Sequence, residues 1–287
     1  MQHSDFPGLY QAADKISDEA QKHFLTALLA NLTLLVAAAA MSVINYPHWS
    51  VAALQAALLA GALASSVYLA TQRPERLWYS ARAVAESIKT VTWRYVSRAE
   101  PFHEDDDTAK RHLLERLTQV IRQNSAVSDK LISHISAQQI TNKMKSLRAD
   151  GFETRLNTYV THRINDQLSW YSSKANSNAL AAKVFFIALI IVNATALLCA
   201  LAKIANVGYA YFPTDLLIAI AAALLTWMQA KRFTELSASY TLTAHEITLI
   251  REQAEGLSND GHLSTFVGDA ENAFSREHTQ WEARKDK

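Results

Sequence analysis

Four long stretches without a charged side chain limit what this sequence can become. The first, 24–44, reads FLTALLANLTLLVAAAAMSVI. At 1.5 Å per residue it spans about 30 Å, the thickness of a hydrocarbon core. The others lie at 51–70, 184–202 and about 216–230, the last within a membrane helix of about 214–230 and bounded by Asp215 and by Lys231-Arg232. Only NYPHWS separates the first two, so they must fold back on each other as a hairpin. A cleaved leader would start nearer the N-terminus and would not be followed at once by a second apolar run. Buried helices of a soluble bundle usually keep a polar stripe, which these four runs lack. The expected fold class is therefore an all-α integral membrane protein, with four membrane helices in two hairpins.

The segments between the runs are charged like soluble helices, and the formal net charge is only +1. Such a balance gives no basic field for nucleic acid. The single cysteine, Cys199, has no intrachain partner. Lys and Arg are absent from NYPHWS and number one between Lys203 and Pro213, but are frequent from Thr71 to Lys174 and after Lys231. The positive-inside rule then puts both termini and the central segment in the cytoplasm, and the cysteine usage is consistent with a bacterial-type inner membrane. Tyr46, Trp49, Tyr209 and Tyr211 would form the outer aromatic belt.

Each half follows one plan: amphipathic helix, membrane hairpin, amphipathic helix. After the first hairpin Leu77, Ala81, Val84, Ile88, Val91 and Tyr95 alternate at steps of four and three. After the second, Phe233, Leu236, Tyr240, Thr243, Ile247, Ile250, Ala254 and Leu257 do the same, an a/d seam. Leu9, Ala13, Ile16 and Ala20 precede the first hairpin; Phe152, Leu156, Val160, Ile164 and Leu168 precede the second. No proline interrupts the passage into the first or third membrane helix, which predicts stalks continuous with them. The halves are expected at 1–100 and 150–260, with a peripheral helical hairpin at 101–149 and a polar tail at 261–287. The linker hairpin would bury Leu113, Leu114, Leu117, Val120 and Ile121 against Val127, Leu131, Ile135 and Ile140.

Chemistry is hard to find. There is no phosphate-binding glycine loop, and His245-Glu246 is followed at 249 by leucine where a zinc helix needs a second histidine. The ten histidines are dispersed, and HEDDD at 103–107 reads as a solvated helix start or a divalent-cation site. No enzyme activity, cofactor or metal is expected. What stands out is polarity inside the apolar runs: Asn31, Thr33 and Gln55 in the first hairpin, Asn193, Thr195 and Thr226 in the second. In hydrocarbon such groups are helix-packing contacts or the lining of a wet path. Ala57, Gly61 and Ser65 offer a small-residue face for close helix approach.

The segment RPERLWYSARAVAESIKTVTWRYVSRAEPF, 73–102, resembles the region that follows the membrane hairpin in SLATT domains, bacterial two-helix membrane modules. FPGLYQAADKISDEAQ, ahead of the first hairpin, is similar to one SLATT subgroup, and YVTHRINDQLSWYSSKANSNA, ahead of the second, to another. The resemblance implies a membrane effector of a bacterial conflict or anti-phage system, forming a pore or disrupting the bilayer when triggered. With the duplicated hairpins and heptad stalks, it points to a homo-oligomer through stalk and membrane helices, with a defence-system partner or nucleotide-signal sensor as the source of the trigger. The residues that carry it are Trp78, Arg82, Glu86, Trp93 and Arg94 in the first half and Arg163, Gln167, Trp170 and Tyr171 in the second. They form a candidate cytoplasmic latch, structural or gating. The second half departs from the first at Leu242, which aligns with Arg82, and keeps Glu246 opposite Glu86. A non-conducting scaffold or sensor, and a small-solute channel, are the alternative functions.

Overall fold

A computed structural model describes residues 1–44, 48–131, 138–205 and 212–283. Tyr46, Tyr209, Tyr211 and Ile135 lie outside the described residues, so the aromatic belt is represented by exposed Trp49 alone. Among the described residues there are helices and turns and no strand. Helix α1 covers Gly8–Ile44, α2 Trp49–Gln72, α3 Pro74–Val96, α4 Asp106–Arg122, α5 Ser125–Leu131 and α6 Asn142–Ala149. Then come α7, Phe152–Tyr159, a π-helical turn at Val160–Ile164, α8, Asn165–Ala205, α9, Thr214–Lys231, α10, Phe233–Gln253, and α11, Asp260–Ala283. Four helical stretches are long and apolar enough to cross a membrane, and they contain the four uncharged runs.

Stalk and membrane run are one uninterrupted helix in α1 and in α8, as the absence of proline predicts. The second helix of each hairpin ends differently. Arg73 (φ 43°) closes α2 with its N–H donating to the Leu69 carbonyl, and Arg232 (φ 51°) closes α9 by donating to that of Met228. Each is a left-handed residue followed at once by the next helix. A non-glycine residue there costs about 1–2 kcal/mol. The same strained break at the same place in both halves is the plainest structural trace of the duplication.

Packing divides the chain in another way. One unit gathers 1–22, 74–170 and 243–287; the other holds 23–73 and 171–242, and so contains all four membrane runs. In the first unit the α3 stripe is the core, with Ala81, Val84, Ile88 and Tyr95 buried. The linker is no peripheral hairpin. Its second expected helix is broken where the Thr141 hydroxyl accepts from the Met144 N–H and starts α6. Leu113, Leu117, Val127, Leu131, Ile140, Met144 and Leu147 are all buried, while Leu114 is exposed. Nor is 261–287 a polar tail. Leu263, Phe266, Val267, Ala270 and Phe274 recur at helical spacing in α11 and are buried, because polar residues fill the opposite face.

Candidate functional site

The first membrane hairpin is joined by side-chain amides and hydroxyls. Asn31 Nδ2 donates to the Ala62 carbonyl at 3.3 Å and to Ser66 Oγ at 2.5 Å. Gln55 Nε2 donates to the Ala38 carbonyl and to Ser42 Oγ, and Ser65 Oγ to the Ala27 carbonyl at 2.8 Å. The small-residue face explains the close approach: a Cβ on Gly61 would meet Leu34 Cδ1 at 3.3 Å. Thr33 points outward. In the second hairpin Asn193, Thr195 and Thr226 are all exposed and donate only to carbonyls of their own helices, those of Leu189, Ile191 and Ala222. Beside that hairpin α8 is joined to α10, by Phe185 stacked on Phe233 (5.3 Å), Tyr171 edge-on to Tyr240 and Ser237 Oγ donating to the Ala175 carbonyl.

Asn31→Leu is therefore expected to lower the stability of the first hairpin by about 0.6–2 kcal/mol, the range for polar contacts between membrane helices. Thr33→Leu should leave it unchanged. Thermal unfolding in bicelles, with both variants beside the wild type, checks the difference.

The other polar concentration lies in the first unit, on α3, α7, the π turn and α11. On the chain from α7 into α8 the buried polar positions are Arg155, Tyr159, Arg163 and Gln167, four apart. The neighbouring apolar stripe expected to face inward is mostly half-buried, and only its Ile164 is fully covered. A polar stripe can occupy the core only where acceptors await it. For Arg163 the acceptor is Glu271 of α11. Arg163 Nε donates to Glu271 Oε1 at 2.8 Å and a terminal nitrogen to Oε2 at 2.7 Å. Tyr159 Oη donates to Oε1 at 2.9 Å and Thr90 Oγ1 of α3 to Oε2 at 2.8 Å.

Arg163 is 1% exposed and Glu271 0%, so the pair is sealed from water. Burial works against the Arg163 cation, yet Glu271, with help from Glu86 and Tyr159, raises its pKa above the ordinary value. Burial and the adjacent Glu271 carboxylate also push the Tyr159 hydroxyl well up, so it stays a donor. Phe274 lies under the guanidinium at 4.7 Å. Glu271, engaged by four donors, holds structure together and has no lone pair free to act as a base.

Other latch candidates fall around this centre. Arg94 donates to the Gly268 carbonyl at 2.9 Å and to Asn272 Oδ1 at 2.7 Å, tying α3 to α11. Trp93 is buried edge-on to Tyr159, its Nε1 without a hydrogen-bond partner among the described residues. Arg82 bridges Asp14 of α1 (3.1 Å) and Glu86 (2.9 Å), and Ser17 donates to the Trp78 carbonyl. Trp170 is partly exposed and Glu246 lies exposed on α10, away from these contacts. In HEDDD, Asp105 caps α4 by accepting from the Asp107 and Thr108 N–H groups, and Asp106 accepts from Arg148. Among the described residues no cluster of His, Cys, Asp and Glu has the makings of a metal site.

Glu271, Arg148, Arg155 and Asp14 carry this network, and no motif marked them. The available signal for Glu271 was its place beside Ala270 on the α11 stripe, where a charge flanks an otherwise apolar face.

Comparison with known proteins matches both halves. The family model described as SMODS and SLOG-associating 2TM effector domain 3 covers residues 7–156. That of SMODS and SLOG-associating 2TM effector domain 1 covers 159–281. No curated protein and no solved structure matches. The two domains join between Leu156 and Tyr159, one turn before Arg163, and the second includes Glu271. The chain thus belongs to the SLATT family of two-helix membrane effector domains, with one such domain in each half.

Proposed function

We propose that this protein is an oligomeric effector of a bacterial conflict system, acting by permeabilising the membrane of its own cell rather than by catalysis. Both termini and the first unit lie in the cytoplasm on this reading, as the basic residues require. The observation that carries it is the π turn at Val160–Ile164, with Arg163 pinned by Glu271, directly ahead of the membrane-spanning helix α8. π turns are rare and often mark functional sites. A π turn holds one residue more than an α turn. Its closure would turn α8 by about 100° relative to α7. Release of Glu271 by a trigger, such as a defence-system partner or nucleotide-signal sensor, is the event that permits it.

The test is membrane potential and dye uptake in bacteria expressing the wild type, Glu271→Ala and Asn31→Leu, at matched levels in the membrane fraction. Glu271→Ala should depolarise cells without a trigger. Asn31→Leu, combined with it, should suppress the leak if the first hairpin must stay paired to conduct. An inserted Glu271→Ala protein that leaves potential and permeability untouched would count against a permeabilising role. Capture of a soluble partner through 71–180 without leakage would then favour a scaffold.

A further inference from the structure

Asn193 is the middle residue of the uncharged run 184–202, nine residues from either end, so roughly 13 Å of helix separates it from each boundary. An asparagine side chain is too short to reach the interface from there. One Nδ2 hydrogen goes to the Leu189 carbonyl of its own helix. The second hydrogen and the Oδ1 acceptor have no partner among the described residues, and the side chain is exposed. Thr195 and Thr226 differ, since a hydroxyl that donates to its own helix has spent its only proton. Asn31, the corresponding amide of the first hairpin, finds both of its acceptors within the chain. Among the described residues, Asn193 alone brings an unspent donor and acceptor to the hydrocarbon centre.

The residues around it make a seam. Phe186, Ile190, Asn193, Leu197, Ala200 and Ile204 follow one another at steps of four, three, four, three and four. All but half-buried Ala200 are exposed. That is the a/d repeat of a left-handed helix pair with one polar residue near its middle, the arrangement that sets register. The adjacent stripe, Ile187, Ile191, Ala194, Leu198 and Leu201, is equally exposed but wholly apolar, and lipid suits it.

We propose that a second copy of this chain covers the Asn193 seam, the two α8 helices running parallel with Asn193 against Asn193. An amide is both donor and acceptor, so it complements itself across a two-fold axis along the membrane normal, an arrangement open to copies inserted with the same orientation. The pairing names the partner within the oligomeric effector proposed above and rests on that reading only for its consequence.

The experiment is subunit association of the full chain in phosphatidylethanolamine–phosphatidylglycerol vesicles, read by single-molecule photobleaching over a range of protein-to-lipid ratios. Asn193→Leu should weaken association about threefold to twentyfold, and Asn193→Gln, which keeps donor and acceptor, should recover most of it. In a Cys199→Ser background, single cysteines at 190 and 197 should form disulfides between copies, while those at 187 and 198 should not. Unaltered association of Asn193→Leu, or crosslinking through 187 and 198 instead, overturns the pairing. Lost dye leakage with unchanged association also overturns it, and would put Asn193 on a water-filled wall. Association without any leakage upholds the pairing and counts against the permeabilising role.

Discussion

Glu271→Ala is expected to destabilise the first unit by about 3–5 kcal/mol, the cost of leaving a buried guanidinium without its counter-charge. Arg163, Tyr159 and Thr90 lose their shared acceptor at once, and water has no route to replace it. Because Glu271 ties α11 to α3, α7 and the π turn, the loss should show as local opening before global melting. Hydrogen exchange followed by mass spectrometry should find reduced protection at 260–275 and 155–168, and little change at 24–44. The double variant Arg163→Met/Glu271→Leu separates charge from packing. Replacing a buried pair with apolar residues is often neutral or better, so its stability should recover most of the loss, short of the wild type by about 1–3 kcal/mol for the buried Tyr159 hydroxyl left without its acceptor. If Glu271→Ala keeps wild-type protection in α11, the carboxylate is not what holds that helix.

Arg148→Met should have the second largest effect. Its guanidinium lies over the Tyr95 ring at 4.8 Å and donates to the carbonyls of Tyr95, Phe102 and Glu104, at 2.8, 2.8 and 2.9 Å. It thereby holds the whole turn between α3 and α4 from α6. Methionine fills the volume but strands the buried Phe102 carbonyl, at about 1–3 kcal/mol, and leaves the Tyr95 carbonyl only its 3.2 Å bond from the Arg98 N–H. Burial alone already bears on this residue, setting its pKa below the usual arginine value despite Asp106. Arg98→Ala is the control: it removes an exposed 3.5 Å contact to the same Asp106 and should cost no more than about 1 kcal/mol. Thermal unfolding of both variants in detergent decides it. Equal losses would mean that Arg148 acts through Asp106 and not through the backbone carbonyls.

The division between what the residues announce and what folding decides runs along hydrophobicity. Four spans, two hairpins, stalks continuous with α1 and α8, and membership of the family were all legible from the sequence. Each depends on local composition or on short-range steps of three and four, which the backbone geometry translates directly. The role of α11 was hidden, because its stripe of five apolar residues is diluted by glutamate, asparagine and aspartate and resembles a solvated helix. Whether such a stripe is buried depends on α3, more than 160 residues earlier.

Electrostatic pairing was hidden for a related reason. Arg163 was marked by resemblance, but a lone arginine on a helix gives no sign of which carboxylate will meet it. Glu246 had the same chemistry as Glu271 and stayed in solvent. The two asparagines at membrane depth make the same point: Asn31 and Asn193 sit in similar runs, and only the packed hairpins decide that the amide hydrogens of Asn31 meet acceptors on the facing helix while Asn193 reaches only a carbonyl of its own. Where the chain meets lipid follows from residue order along each run, since transfer of an uncharged run needs no partner. Tertiary structure alone decided which polar groups meet, because a buried hydrogen bond or ion pair exists only when two distant segments arrive at the same place.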